Sequence, residues 1–144
     1  MQEVKRQVVV FTVGDEFYAF DIDWVREIIV MQKIQQTPNA PDDVEGVIDL
    51  RGHVIPVINL PRRLGRCRRQ DSNERILVLD FDGWEVGLIV DQVEAVKFID
   101  DGSVASCSDP PTQVLRHYLE GVVNEGSLPI YLLEVASIIS GPRD

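Results

Sequence analysis

Strand signals dominate the pattern of apolar and polar positions. Residues 8–13 and 17–20 are apolar and bracket Gly14-Asp15, a hairpin-type turn. Residues 76–81 and 84–90 flank Asp82-Gly83, two residues that tolerate positive φ. In the second of these runs Trp84, Val86, Leu88 and Val90 share one face. Gly87 lies on the other, where a missing side chain lets backbone or a partner come close. Residues 119–123 and 128–133 flank Asn124-Glu125-Gly126-Ser127 as a further hairpin.

Helical signals are few and short. Asp21 opens a turn or two through residue 29, with Ile22, Val25 and Ile29 at helical spacing. Pro41 followed by Asp42 and Asp43 reads as a brief helix start. Residues 134–140 carry Val135, Ile138 and Ile139 and stop at Gly141-Pro142. Asp109-Pro110-Pro111 marks a loop. Many short strands, tight turns and a few helical turns predict small barrels rather than a sandwich. A parallel sheet would need long helices between its strands, and the pattern holds none. Nothing repeats at a fixed period. Pro56 predicts an edge or a bulge in its strand, and the arginine-rich stretch ending at Asn73 is the expected hinge between two lobes.

The segment from Gly46 to Leu60 is the most informative. Arg51 precedes Gly52 and is flanked by apolar runs that would pair as strands. An arginine is rarely buried without a partner, so Arg51 is either a turn residue in solvent or half of an ion pair. Asp23 and Glu27 stand four apart on the polar face of the predicted helix, which makes Glu27 the candidate partner.

Composition narrows the functional classes. The 144 residues fit one domain, or two small lobes sharing a core, and 44% apolar content is enough to bury one. No apolar run approaches the roughly 20 residues that span a bilayer, and no signal peptide is evident, which predicts a cytoplasmic protein without membrane insertion. A net charge of −10 argues against a nucleic-acid backbone as the main partner. Arg62, Arg63, Arg66, Arg68 and Arg69 run against that trend, and without these five charges the rest of the chain stands at −15. This loop is either solvated or a secondary dock for an anion or an acidic surface.

Catalytic signals are weak. His53 and His117 are the only histidines, and neither has a second metal ligand at a usable spacing. No glycine-rich phosphate loop is present, so neither metal nor cofactor is expected. Cys107 and His117 form the one conceivable nucleophile–base pair, which leaves a small β-barrel enzyme or ligand-binding domain, using them or the 62–69 loop, as the alternative reading.

Five fragments in order carry a resemblance. They are Asp21-Ile22-Asp23-Trp24-Val25-Arg26-Glu27-Ile28, Gly46-Val47-Ile48-Asp49-Leu50-Arg51-Gly52, Val54-Ile55-Pro56-Val57-Ile58-Asn59-Leu60, Val86-Gly87-Leu88-Ile89-Val90-Asp91-Gln92-Val93 and Tyr118-Leu119-Glu120-Gly121-Val122. Together they resemble the CheW family of chemotaxis coupling proteins over nearly the whole chain. The resemblance implies a mostly β fold of two intertwined five-stranded SH3-like barrels with a few short helices and a groove between them. On this chain the lobes would be about 15–68, and 8–14 with 73–140, within a single domain 1–144. It implies a non-catalytic adaptor between the cytoplasmic tip of methyl-accepting receptors and the regulatory domain of the histidine kinase CheA, recruited to membrane receptor clusters. The first lobe would carry the main kinase contact. Glu27 and Arg51 match the family's acid–arginine pair near the receptor-facing side, and Val25, Gly46, Gly87 and Val96 match its groove or lobe-packing positions. Residues 61–69 are more basic than the family's usual connector, and residues 97–111 match poorly where ring contacts would be expected. The resemblance stops close to the end of the sequence, so a receiver domain of the CheV type is not expected.

Overall fold

The two-residue turns marked in the sequence fold as hairpins, and they organise the rest. In the computed structural model, which describes residues 5–140, Gly14, Asp82, Gly83 and Gly126 all take positive φ at such turns. A fourth turn, Arg51-Gly52, has φ of 53° and 86° at its two positions. The strands are β1 (Lys5–Val13), β2 (Glu16–Asp21), β3 (Val25–Val30), β4 (Val44–Leu50), β5 (His53–Asn59), β6 (Arg75–Phe81), β7 (Trp84–Val90), β8 (Gln92–Asp100), β9 (Leu119–Glu125) and β10 (Leu128–Leu133). Two short helices follow β5 and β10: α1 (Leu60–Arg63) and α2 (Val135–Ser140). The expected helix stop at Gly141-Pro142 lies outside the described residues.

The strands form two five-stranded sheets, ordered β8-β1-β2-β10-β9 and β3-β6-β7-β5-β4. Each sheet follows one plan. An edge strand pairs with a hairpin, and the hairpin's second strand lies parallel to the second strand of another hairpin, β2 with β10 and β7 with β5. The outer strand of each is met by an isolated bridge, Gln35 to Val47 and Ala105 to Val122. Parallel pairing thus occurs without a helical crossover, because the paired strands belong to hairpins far apart in sequence. Neither sheet is a parallel sheet, as expected: each is antiparallel apart from its one parallel pair.

Alternation along the strands creates three apolar layers. Val8, Val10, Ile130 and Leu132 point into the first curled sheet. Ile48, Ile55, Val57, Ile76, Val78 and Ile89 fill the second. The largest layer lies between the sheets, with Phe11, Tyr18, Phe20 and Tyr131 from one meeting Leu77, Leu79, Leu88 and Val90 from the other. Phe11 stacks on Phe20 at 5.5 Å between ring centroids. The two barrels are therefore fused through a common core.

Several expectations need correction. The segment after Asp21 makes only a 3-10 turn, Ile22–Trp24, and then extends as β3, because Val25, Ile28, Ile29 and Val30 gain a strand partner in β6 that a short helix cannot match. Pro41 starts a turn rather than a helix, closed by Val44 N–H donating to its carbonyl at 3.0 Å. Pro56 sits in an interior strand, one residue before the parallel registers with β7 begin at Val57, so no ladder bond is lost. The arginine-rich loop joins α1 to β6, both on the second sheet, and is not a hinge between the sheets. Sheet membership also cuts across the expected lobe ranges: β2 stays with β1 through its tight turn, and the β6–β7 hairpin joins β5.

Candidate functional site: a charged cluster between two apolar surfaces

A bulge shapes the first part of the site. Val25 pairs with Leu79 and Glu27 with Val78, so Arg26 is the extra residue between them. Without the bulge Val25 and Glu27 would share a face. With it, Val25 packs on the core between the sheets and Glu27 turns to the inner face of the second barrel. There Arg51, on the β4–β5 turn, donates its Nη2–H to Glu27 Oε1. Glu27 lies on one edge strand, β3, and Arg51 on the turn that follows the opposite edge strand, β4, so this pair spans the mouth of the curled sheet. The guanidinium is 69% exposed, so Arg51 is both a turn residue and an ion-pair partner.

Further charges adjoin it. Arg26 lies 3.1 Å from Asp80 and 3.8 Å from Glu85, and His53 Nδ1 is 3.2 Å from Glu85. Arg26, Arg51, His53 and Glu85 line one depression.

His53 and Glu85 also border a larger groove of about 740 Å³ lined mainly by Pro41, Val44, Val54, Pro56, Trp84, Val86 and Ile139. Trp84 is 73% exposed and Val54 68%, large apolar surface left open among the described residues. A second apolar surface lies on the two edge strands. Ile28 pairs with Leu77, and Val96 with Val9, which places both on the faces that the sheets turn towards each other. With Val30 and Phe98, two positions further along the same faces, they leave an apolar rim exposed along the outer strand of each sheet.

At Gly46 and Gly87 close packing leaves no room for a side chain. At Gly46, with φ of 149°, a Cβ would stand 2.1 Å from the carbonyl oxygen of Gln35. At Gly87 it would meet Ile76 Cγ2 at 2.9 Å. Gly121, on β9, plays the part of Gly46 in the other sheet, with a Cβ position 2.7 Å from the carbonyl oxygen of Ala105. The signal for it was the recurrence of Glu45-Gly46-Val47-Ile48 as Glu120-Gly121-Val122-Val123.

Every arginine of the 62–69 loop has a carboxylate partner. Arg62 is paired with Asp42, Arg63 with Asp43, Arg66 with Glu16 and Arg69 with Asp15 and Asp91. Arg68 forks onto Glu74 at 2.8 and 3.2 Å. The hydrogen bond from Arg63 holds the Asp43 carboxyl below its usual range, and the fork from Arg68 pairs the charge of the buried Glu74. Burial pushes the Asp91 carboxyl up, although Gly14 N–H donates to it at 2.8 Å. The positive charge of the loop is thus matched by acids drawn from both sheets. Cys107 packs against the shared core and His117 is exposed, and no hydrogen bond joins them among the described residues.

Residues 7–143 match the family of CheW-like domains. The chemotaxis protein CheW of Treponema pallidum (strain Nichols) is 31% identical over 139 residues, which cover 93% of this chain and 82% of the relative. That of Klebsiella aerogenes is 28% identical over 140 residues, covering 96% and 84%. Among solved structures, the scaffolding protein TtCheW from Thermoanaerobacter tengcongensis aligns with a TM-score of 0.87 at 32% identity, over 96% of this chain and 94% of that one.

Proposed function

Because this chain belongs to the CheW-like domain family, we propose that it is a non-catalytic adaptor that couples methyl-accepting receptors to the histidine kinase CheA in chemosensory signalling. The observation that carries this reading is the presence of two separate exposed apolar surfaces with a charged cluster between them. An adaptor needs two docking faces, whereas an enzyme needs one site in which reactive groups converge.

The rim of Ile28, Val30, Val96 and Phe98 suits the apolar stripe of a receptor helix, with the Glu27–Arg51 pair at its border to fix register. The Trp84–Val54 groove suits the regulatory domain of the kinase. An exposed tryptophan in an apolar depression with a charged border is the usual make-up of an interface hot spot. No helix among the described residues is long and apolar enough to cross a membrane, so recruitment to receptor clusters would run through these contacts.

The test is co-sedimentation with the host's receptor signalling tips, with and without the CheA regulatory domain. A ternary pellet is expected, which Phe98→Ser depletes of receptor and Trp84→Ser depletes of kinase. If neither partner is retained by the unaltered chain, the adaptor reading fails.

A further inference from the structure

The groove beside Trp84 is built from parts distant in the chain: the turn Pro41–Val44, the strands β5 and β7, and the end of α2 at Ile139 and Ser140. Apolar contact joins these parts at their base, where Val135 and Ile138 of α2 meet Ile58 and Val86 in the shared core and Val44 packs against them. One buried cation adds a directional tie. Arg63 has a side chain only 7% exposed, and its Nε donates to Asp43 Oδ2 at 2.6 Å. Its Nη1 donates to the backbone carbonyl of Ile138 in α2. Asp43 is fixed in turn, its own carbonyl accepting from Asn59 N–H at 2.7 Å. The planar guanidinium thus joins the two walls of the groove, the turn before β4 on one side and the C-terminal helix on the other, while itself forming part of the lining.

We propose that Arg63 is the positioning residue of this groove, a rigid fork that holds α2 and the 41–44 turn at the separation a kinase side chain needs. The inference rests on the groove being the kinase-docking face. Its substitution therefore acts on one partner only. Arg63 does not border Ile28 or Val96, which are held on the outer strands by pairing with β6 and β1.

The experiment compares Arg63→Lys, Arg63→Met and Trp84→Ser in the full chain, by calorimetric titration against the CheA regulatory domain and against a receptor signalling tip. Lysine keeps the charge on Asp43 but has no fork to hold the Ile138 carbonyl as well, so it also serves if Arg63→Met does not fold. Arg63→Lys is expected to weaken kinase binding at least tenfold while leaving receptor binding within twofold. Hydrogen exchange should quicken in residues 135–140 and 41–44 and nowhere else. Unchanged kinase binding, or an equal loss of both partners, would overturn the assignment, the second outcome making Arg63 a general structural residue. Unchanged kinase binding in Trp84→Ser overturns the groove reading itself, whatever Arg63 does.

Discussion

Reversing Arg51 separates a contact residue from a structural one, because the structure bounds what the fold can lose. Arg51 is 69% exposed and its partner Glu27 25%, so the pair contributes about 0.2–1 kcal/mol to stability. Arg51→Asp forfeits that and sets two carboxylates near each other in a largely aqueous site, a repulsion of about 1 kcal/mol. The backbone adds little, since aspartate tolerates the φ of 53° at this turn. The total stays near 2 kcal/mol, which for a chain of this size lowers the melting temperature by roughly 4–8 °C. Receptor binding should fall much further in proportion. A charge-assisted hydrogen bond to the partner is worth about 1.5–3 kcal/mol, a ten- to hundredfold loss in affinity. The double variant Glu27→Arg with Arg51→Glu restores the pair with its poles exchanged, so it should recover melting but not binding. Thermal melts followed by circular dichroism, alongside titration with receptor tips, read both quantities. Loss of the cooperative transition in Arg51→Asp, or recovery of binding by the exchanged pair, would refute the reasoning, since either makes Arg51 a brace for its hairpin.

Gly46→Ala should cost more than about 3 kcal/mol by urea denaturation, combining a positive φ with a clash against the Gln35 carbonyl; Gly121→Ala, without the positive φ, should cost less. Leu77→Ala opens a cavity in the core between the sheets and should cost about 2–5 kcal/mol, with amides of both sheets losing exchange protection together. Asp43 has a folded-state pKa depressed by Arg63, so its contribution is full above the unfolded value near about 4 and is lost as pH falls through the folded one. Asp43→Asn should therefore flatten the acid limb of a stability–pH curve while lowering the plateau. Asp91, raised by burial, acts in the opposite sense, and its contribution declines as pH rises through the carboxylate range.

The hairpins were legible because Gly14-Asp15, Asp82-Gly83 and Gly126-Ser127 carry local turn chemistry that needs no tertiary information. The segment around Glu27 was not. Ile22, Val25 and Ile29 satisfy a helical period, yet a bulge at Arg26 breaks the strand period, so the alternation that would have exposed β3 is interrupted where it matters. The Glu27–Arg51 pair was anticipated on the wrong local structure and still formed, because curling of the sheet brings its two edges together. The arginine loop looked like a basic patch because its acids, Glu16, Asp43, Glu45 and Glu74, are scattered over sixty residues of sequence and converge only in the fold. The twofold plan of the sheets was hidden for a similar reason. Glu-Gly-Val recurs in sequence at matching places in the two sheets, where a close backbone approach demands glycine in both barrels.

The shared core constrains how such a protein can pass on a signal. Phe11 and Tyr18 of one sheet and Leu77 and Leu88 of the other are all buried in the same cluster, so relative motion of the barrels would expose the largest apolar layer in the chain. The arginine-rich loop leads from β5 by way of α1 back to β6 of the same sheet and is tied down by carboxylates, which removes it as a hinge. The apolar rim and the Trp84 groove therefore keep a fixed separation and orientation. A body of this kind transmits by affinity. Its two partners must each have states that its faces bind unequally, and the bias it conveys is limited by those differences in binding free energy. The charged cluster of Arg26, Arg51, His53 and Glu85 borders the groove and includes a residue of the edge strand carrying Ile28, so on the proposed reading it is where the two docking faces adjoin.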